Sequence, residues 1–177
     1  MLKLKHKSLN KMEHSLNTHD LSAMREIIGM PISVLGASLG LPGIYSAIFQ
    51  YNGFAVTFES GINSVPVFDA HIEVYSEDKI VRVDFDSPYV KGLPVTMTIR
   101  EKVNSRPGAD TFGYQKRIVR RTYEDPYTLE MLEFYECVVH GKPIKTSTED
   151  AKNELELYRM ILRAGEHSYK EVQDRVM

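Results

Sequence analysis

The chain has 177 residues, of which 42% are hydrophobic and 26% charged, and its formal net charge is −2. This ordinary globular composition excludes a disordered chain, and the charge gives no general attraction to nucleic acid, which we do not expect as a partner. The lone Cys137 excludes an intrachain disulfide and a cysteine-based zinc site, and it fits a cytoplasmic location. No apolar run is long enough for a membrane span, so we expect no membrane partner.

The first 14 residues are basic, with four lysines and no apolar stretch that would mark a secretory signal. We interpret residues 1–14 as a solvated tail or linker remnant, with an anion-binding arm as the alternative. Residues 15–177 are expected to form a single domain. The initiating methionine and this length are expected of a free-standing protein, and they fit a fragment almost as well.

The first predicted helix covers residues 17–28. Asn17 or Thr18 can cap its first turn, while Gly29 and Pro31 are typical of a helix end. Its predicted apolar face consists of Leu21, Met24, Ile27 and Ile28.

Two more helices are predicted towards the end of the chain. The second covers residues 126–140, with Asp125 as its N-cap and Gly141 as its end. The third begins at Thr146, whose hydroxyl can form a capping box with Glu149. Their predicted buried stripes are Leu129, Leu132, Tyr135 and Val139 in the second, and Ala151, Leu155, Tyr158 and Leu162 in the third.

Between the first two helices, apolar and polar residues alternate with the period of half-buried strands. Asn52-Gly53 and residues 76–79 are predicted hairpin turns, and short turns pair strands antiparallel. The predicted strands cover residues 44–50, 54–59, 71–75, 80–85, a segment around 95–100, and 115–122. This order predicts an α+β fold with a large, mostly antiparallel open sheet and helices packed on one face. Residues 105–110 are the predicted flexible loop.

Two ordered groups of residues carry a family resemblance. The first is His19-Asp20 at a helix start, followed by Gly29-Met30-Pro31 and Ser33-Val34. The second is Tyr127-Thr128-Leu129-Glu130-Met131-Leu132-Glu133-Phe134, then Gly141-Lys142-Pro143, then Thr148-Glu149-Asp150-Ala151. Together they resemble the C-terminal domain of the Gfo/Idh/MocA oxidoreductases over roughly residues 15–165. The resemblance implies a substrate-binding domain with a large open sheet that dimerises.

Members of that family bind NAD(P) in an N-terminal Rossmann domain, which also carries a catalytic lysine. This sequence contains no glycine-rich βαβ unit. Gly36, Gly40 and Gly43 precede a predicted hairpin strand, whereas a pyrophosphate site needs a helix N-terminus after the glycine turn. We therefore expect no cofactor, and the chain cannot by itself be a nicotinamide-dependent dehydrogenase.

The resemblance assigns His19 to the family's catalytic histidine, at the mouth of the substrate pocket. A histidine can donate or accept a proton at neutral pH. The family often has an acidic residue four positions earlier, where this chain has Ser15. The alternative is that His19 only caps or packs the first helix turn.

Two loops supply further candidates. Tyr123 is a candidate catalytic residue and Tyr127 a candidate substrate ligand, since both can donate a hydrogen bond to a substrate oxygen. Tyr89 and Lys91 lie in a polar loop, and Lys91 can pair with an acidic ligand. The alternatives are that the tyrosines pack and that Lys91 is only solvated.

His71 and Glu73 are predicted to share one strand face. They form either a general base pair, with His71 contacting substrate, or the less buried face of the sheet. Two such residues are too few for a conventional metal site, so no metal is expected.

Two functions follow as expectations. The first is a stand-alone domain that binds a small organic substrate and acts without nicotinamide, as an isomerase, cyclase or lyase. The second is a non-catalytic half of a split or truncated oxidoreductase, working with a separate Rossmann-domain subunit. Either form is expected to be a homodimer through its sheet, whose two faces are populated by Ile72, Val74, Val81, Val83, Val95 and Met97.

Overall fold

The computed structural model describes residues 18–41, 44–61, 64, 68–87, 90–104, 112–122 and 124–176. The elements are α1 (Thr18–Ile28), β1 (Ser33–Leu41), β2 (Ile44–Gln50), β3 (Ala55–Gly61), β4 (Ala70–Tyr75), β5 (Lys79–Phe85), β6 (Thr96–Asn104), β7 (Phe112–Arg120), α2 (Pro126–His140) and α3 (Thr148–Val176). Every strand pair is antiparallel, which confirms the α+β class. The predicted tail, residues 1–14, and the predicted loop, residues 105–110, lie outside the described residues.

The strands form two sheets, one in the order β1-β2-β3 and one in the order β4-β5-β6-β7. The chain divides into two compact units, Met1–Ser64 with Ile144–Met177, and Val65–Pro143. The first unit therefore holds the three-stranded sheet with α1 and α3, and the second holds the four-stranded sheet with α2.

In the first unit, α1 and α3 cover one face of the three-stranded sheet. Alternate residues of β2 point into this core, as the period of two requires. The buried cluster consists of Leu21, Ala47, Phe49, Tyr51, Leu157, Tyr158 and Ile161. The predicted turn at Asn52-Gly53 is confirmed, because Tyr51 N donates to Phe54 O over 2.9 Å and Gly53 has a positive φ of 85°.

Two predicted helix faces in this unit are partly wrong. In α1, Leu21 is buried as predicted, but Ile27 is 60% exposed. Arg25, which was not predicted on the buried face, is only 8% exposed. In α3, Leu155 is 54% exposed, whereas Leu157, Tyr158 and Ile161 are buried. The face of α3 that packs against α1 therefore contains acidic as well as apolar residues, because Asp150 and Glu154 pair with Arg25.

The third helix also begins later than predicted. Its first residue is Thr148, and the Ser147 hydroxyl accepts from Asp150 N over 3.2 Å. Ser147 is thus the capping residue and Thr146 is not, because an N-cap side chain bonds to the amide three positions along.

In the second unit, the strand register separates the sheet into an apolar and a polar face. Residues directly opposite each other in an antiparallel pair share a face. Ile72, Val83, Met97 and Val119 form one cross-strand row on the apolar face, and Val74, Val81 and Ile99 lie beside it. Val74 remains 50% exposed.

The bounds and the ends of α2 are confirmed. The Asp125 carboxylate accepts from Thr128 N over 3.2 Å, and Gly141 takes the left-handed conformation with φ 66°. The predicted buried stripe is wrong, however, because α2 buries none of its residues. Its members are about half exposed, at 46% for Leu129, 54% for Leu132, 51% for Tyr135 and 54% for Val139. The periodicity of apolar residues shows which face of a helix is apolar, but it does not show whether another part of the protein packs against that face.

Candidate functional site

One end of the four-stranded sheet gathers three of the six predicted site residues. At this end, here called the loop end, β4 and β6 begin while β5 and β7 end. Lys91 lies between the end of β5 and the start of β6, and α2 begins six residues after the end of β7. Chain topology therefore brings His71, Lys91 and Tyr127 to the same end of one sheet.

A row of four polar residues crosses the sheet at the loop end. His71 faces Asp84, Asp84 faces Thr96, and Thr96 faces Arg120. Since directly opposed residues share a face, this end row lies wholly on the polar side of the sheet. It presents an imidazole, a carboxylate, a hydroxyl and a guanidinium, which are the groups that orient small polar ligands.

His71 has a carboxylate beside it. Its Nδ1 lies 3.6 Å from Asp69 Oδ1, and 40% of the imidazole side chain is exposed. A proton on Nδ1 would therefore face the Asp69 carboxylate, while Nε2 can exchange a proton with a ligand. Histidine and a neighbouring carboxylate are residue types that general acid–base catalysis uses, but these two atoms lie beyond hydrogen-bond distance and 73% of the Asp69 side chain is exposed.

Glu73, the other residue predicted on this face, holds cations in place. Its two oxygens lie 3.6 Å from Arg100 Nη1 and 3.9 Å from Arg82 Nη1, and Tyr75 donates its hydroxyl to Glu73 over 3.0 Å. The same hydrogen bond raises the pKa of Tyr75 above its ordinary value. The carboxylate of Glu73 is thus engaged by three neighbours, which favours a structural over a basic role.

Asp84 in the end row is oriented by Arg82. Arg82 Nε donates to Asp84 Oδ1 over 2.7 Å, and this hydrogen bond raises the pKa of the guanidinium. The hydrogen bond from Arg82 holds this carboxylate in place. The end row therefore carries a carboxylate next to His71 and an exposed cation, Arg120, at its far side.

The start of α2 forms a shallow apolar depression with polar groups at one end. It is lined by Asp125, Tyr127, Thr128, Met131, Leu132 and Tyr135. The Thr128 hydroxyl donates to Asp125 over 2.6 Å and is the main reason that the pKa of Asp125 lies below its ordinary value, with Lys91 contributing as a nearby cation. Asp125 is therefore occupied as the helix cap. Tyr127, which lines this depression, is 50% exposed.

His19 belongs to the other compact unit. It lies in the first turn of α1 and is exposed, and burial raises the pKa of its neighbour Asp20. That His19 shares a pocket with the loop end stays a prediction. Tyr89 and Tyr123 lie outside the described residues, and their roles also stay predictions.

Sequence reasoning missed Asp69, Asp84, Thr96 and Arg120 as members of this site. The alternation in each strand places them on the polar face, but only the register between strands aligns them into one row. Within the described part of the chain, no group of three or more His, Cys, Asp or Glu could hold a metal ion. None of the helices described there has the length and apolar character that crossing a bilayer requires.

Comparison with known proteins identifies no relative. No protein-family model, no curated protein and no solved structure matches the chain.

Proposed function

We propose that the chain is an oxidoreductase-derived substrate domain that binds a small organic molecule and acts on it without nicotinamide, by acid–base chemistry of the isomerase, cyclase or lyase type. The observation that carries this proposal is the His71–Asp69 pair, with Nδ1 and Oδ1 3.6 Å apart at an accessible end of the sheet. The motifs at both ends of the chain support the family origin.

In the proposed mechanism, Nε2 of His71 removes a proton from a carbon next to a carbonyl and returns it to a neighbouring position. Arg120 and Lys91, both exposed cations at the loop end, stabilise negative charge on the substrate oxygen. The Tyr127 hydroxyl donates to a second oxygen. His19 and Tyr123 are the alternative proton donors, on the strength of the family resemblance.

A second function is favoured by the surface of α2. The helix is apolar over more than half of its circumference, yet none of its residues is buried. Such a helix is normally covered. This supports a non-catalytic half of a split oxidoreductase, in which a separate Rossmann-domain subunit covers α2. We also propose a homodimer formed through the apolar face of the four-stranded sheet, and a cytoplasmic location.

Proton exchange tests the first function directly. The purified chain is incubated in D2O with small carbonyl compounds, and loss of proton signals next to the carbonyl is followed by NMR. We expect exchange with at least one compound, reduced roughly 10²- to 10⁴-fold by His71→Gln. His140→Gln, which removes an exposed histidine of α2, is the matched control and should keep full exchange.

Two further variants, His19→Ala and Tyr123→Phe, distinguish a site at the residues predicted to be catalytic from the sequence from a site at the loop end. If exchange persists in His71→Gln but is lost in His19→Ala, the acid–base group is His19. If no compound exchanges, or if all three folded variants keep full exchange, the catalytic proposal is wrong. Calorimetric titration with NADH and NADPH should show no saturable binding at micromolar concentration. A stoichiometric complex would contradict the proposal that the chain acts without a nicotinamide cofactor.

A further inference from the structure

The polar face of the four-stranded sheet carries a second feature, away from the end row. Going from the loop end towards the opposite end of β6 and β7, the facing pairs are Arg100 with Lys116, and Lys102 with Tyr114, followed by Phe112 opposite Asn104. We call Arg100, Lys102, Phe112, Tyr114 and Lys116 the cationic strip. Three positive charges and two aromatic rings therefore share one face of two neighbouring strands.

The aromatic rings of this strip are largely open. Tyr114 is 73% exposed and Phe112 is 60% exposed. The Lys102 ammonium lies 3.8 Å from the centre of the Phe112 ring, which is a cation–π contact. What distinguishes these two rings from the other exposed rings of the described residues is that both lie on one face beside Lys102, Lys116 and Arg100.

No carboxylate opposes the strip on its own two strands. Along residues 96–104 and 112–120, alternation gives this face no Asp or Glu. The single acidic residue of β6, Glu101, lies on the opposite face, where Gln115 donates to it over 2.6 Å and Lys79 lies 3.4 Å away. Glu73 of β4 lies 3.6 Å from Arg100 and offsets part of that charge, whereas no carboxylate is paired with Lys102 or Lys116 among the ion pairs of the described residues.

The segment that contains β6 and β7 carries an excess of positive charge, although the chain as a whole is slightly negative. Residues 96–121 contain seven Lys and Arg but two Asp and Glu, although the net charge of the chain is −2. Cations on an edge strand such as β7 also prevent unwanted strand pairing. Protection of an edge strand does not explain Arg100 and Lys102, because β6 is an internal strand of the sheet. It does not explain the two exposed aromatic rings either.

We propose that the cationic strip binds single-stranded nucleic acid, with phosphates paired to Arg100 and Lys116 and bases stacked on Tyr114 and Phe112. Proteins that bind single strands without sequence preference combine a positive surface with aromatic stacking platforms. From Phe112 to Lys116 the strip spans roughly 14 Å of β7, enough for about two nucleotides. An acidic peptide would satisfy the charges but would leave the rings without a role. This inference does not depend on the proposed catalytic function.

Fluorescence anisotropy with a labelled oligothymidylate at low salt tests the proposal. Non-specific binding of this kind is expected with a dissociation constant between roughly 1 and 100 µM. Tyr114→Ala should weaken binding roughly tenfold, while Tyr114→Phe should bind like the unaltered protein because the ring is kept. Lys116→Gln should weaken binding and lower the slope against the logarithm of salt concentration by about 0.7.

Matched controls come from exposed residues outside the strip. Phe134→Ala removes a ring that is 66% exposed on α2, and Lys152→Gln removes an exposed cation of α3, so neither should change binding. Circular dichroism checks that each variant folds. Binding weaker than about 100 µM at low salt would overturn the proposal. So would equal competition by polyglutamate together with no effect of Tyr114→Ala, an outcome that would assign the strip to acidic polypeptides.

Discussion

The Arg25 guanidinium of α1 donates to the Asp150 carboxylate at the start of α3, where only 5% of the Arg25 side chain and 38% of the Asp150 side chain are exposed. A second nitrogen of Arg25 donates to Glu154 over 3.1 Å. The hydrogen bond to Asp150 also raises the pKa of Arg25 above its ordinary value. Asp150 belongs to the Thr-Glu-Asp-Ala motif, and this contact gives the motif a structural role in holding two helices together.

Replacing Arg25 by methionine should destabilise the protein by about 2 kcal/mol, because it leaves the largely buried Glu154 and the partly exposed Asp150 without their cation. Urea unfolding followed by circular dichroism measures this loss. Arg159→Met is the matched control, since Arg159 forms an exposed pair with Glu156 and should change stability by less than about 0.5 kcal/mol. Equal losses in both variants would contradict a special role for Arg25.

Gly165 of α3 approaches Leu39 of β1 closely. We therefore expect Gly165→Ala to destabilise the native protein but to stabilise a variant that lacks the Leu39 side chain. A Cβ atom at position 165 would lie 2.5 Å from Leu39 Cδ1 and 2.8 Å from its Cγ. In the native background, Gly165→Ala should therefore cost about 1 to 3 kcal/mol through overpacking, against a gain of about 1 kcal/mol in helix propensity.

In a Leu39→Ala background the obstacle is gone, and Gly165→Ala should then stabilise the protein by up to about 1 kcal/mol. Urea denaturation of the two single variants and the double variant supplies the comparison. Gly113→Ala is the control for a glycine with open space around it. If Gly165→Ala has the same effect in both backgrounds, the contact with Leu39 is not what selects glycine.

Local signals explain which parts of the fold the sequence predicted well. The ends of α2 were predicted to the residue, because Asp125 and Gly141 act within one turn of the helix they bound. The first hairpin followed from Asn52-Gly53 for the same reason. Antiparallel pairing also followed from short turns, and with it the α+β class.

Features that depend on distant residues were not predicted. The burial of Arg25 requires carboxylates that lie 125 and 129 positions further along the chain. The division of the strands into two sheets depends on which strands become neighbours, and alternation within one strand does not encode that. The end row of His71 and Arg120 depends on the same information, so sequence reasoning found His71 and missed Arg120.

The cap of α2 should make stability depend on pH in the acid range. Because hydrogen bonds from Thr128 lower the pKa of Asp125 below its ordinary 3.8, the ionised carboxylate is favoured in the folded state. Its contribution is therefore fully present above pH 4 and is lost as the pH falls through the lower folded value. Asp125→Asn keeps a capping oxygen but cannot titrate, so its stability should fall less between pH 5 and pH 2. Parallel pH profiles for the two proteins would contradict this account.

The proposed homodimer makes opposite predictions for the two faces of the four-stranded sheet. Val74 and Ile118 are comparable aliphatic residues, 50% and 55% exposed, but the register places Val74 on the apolar face and Ile118 on the polar face. Val74→Glu should shift the protein to monomers, because a charge buried at an apolar interface is strongly unfavourable. Ile118→Glu should leave the dimer intact. Light scattering from micromolar to near-millimolar concentration measures both. A native chain that stays monomeric throughout, or variants that dissociate equally, would rule out an interface formed by the apolar face.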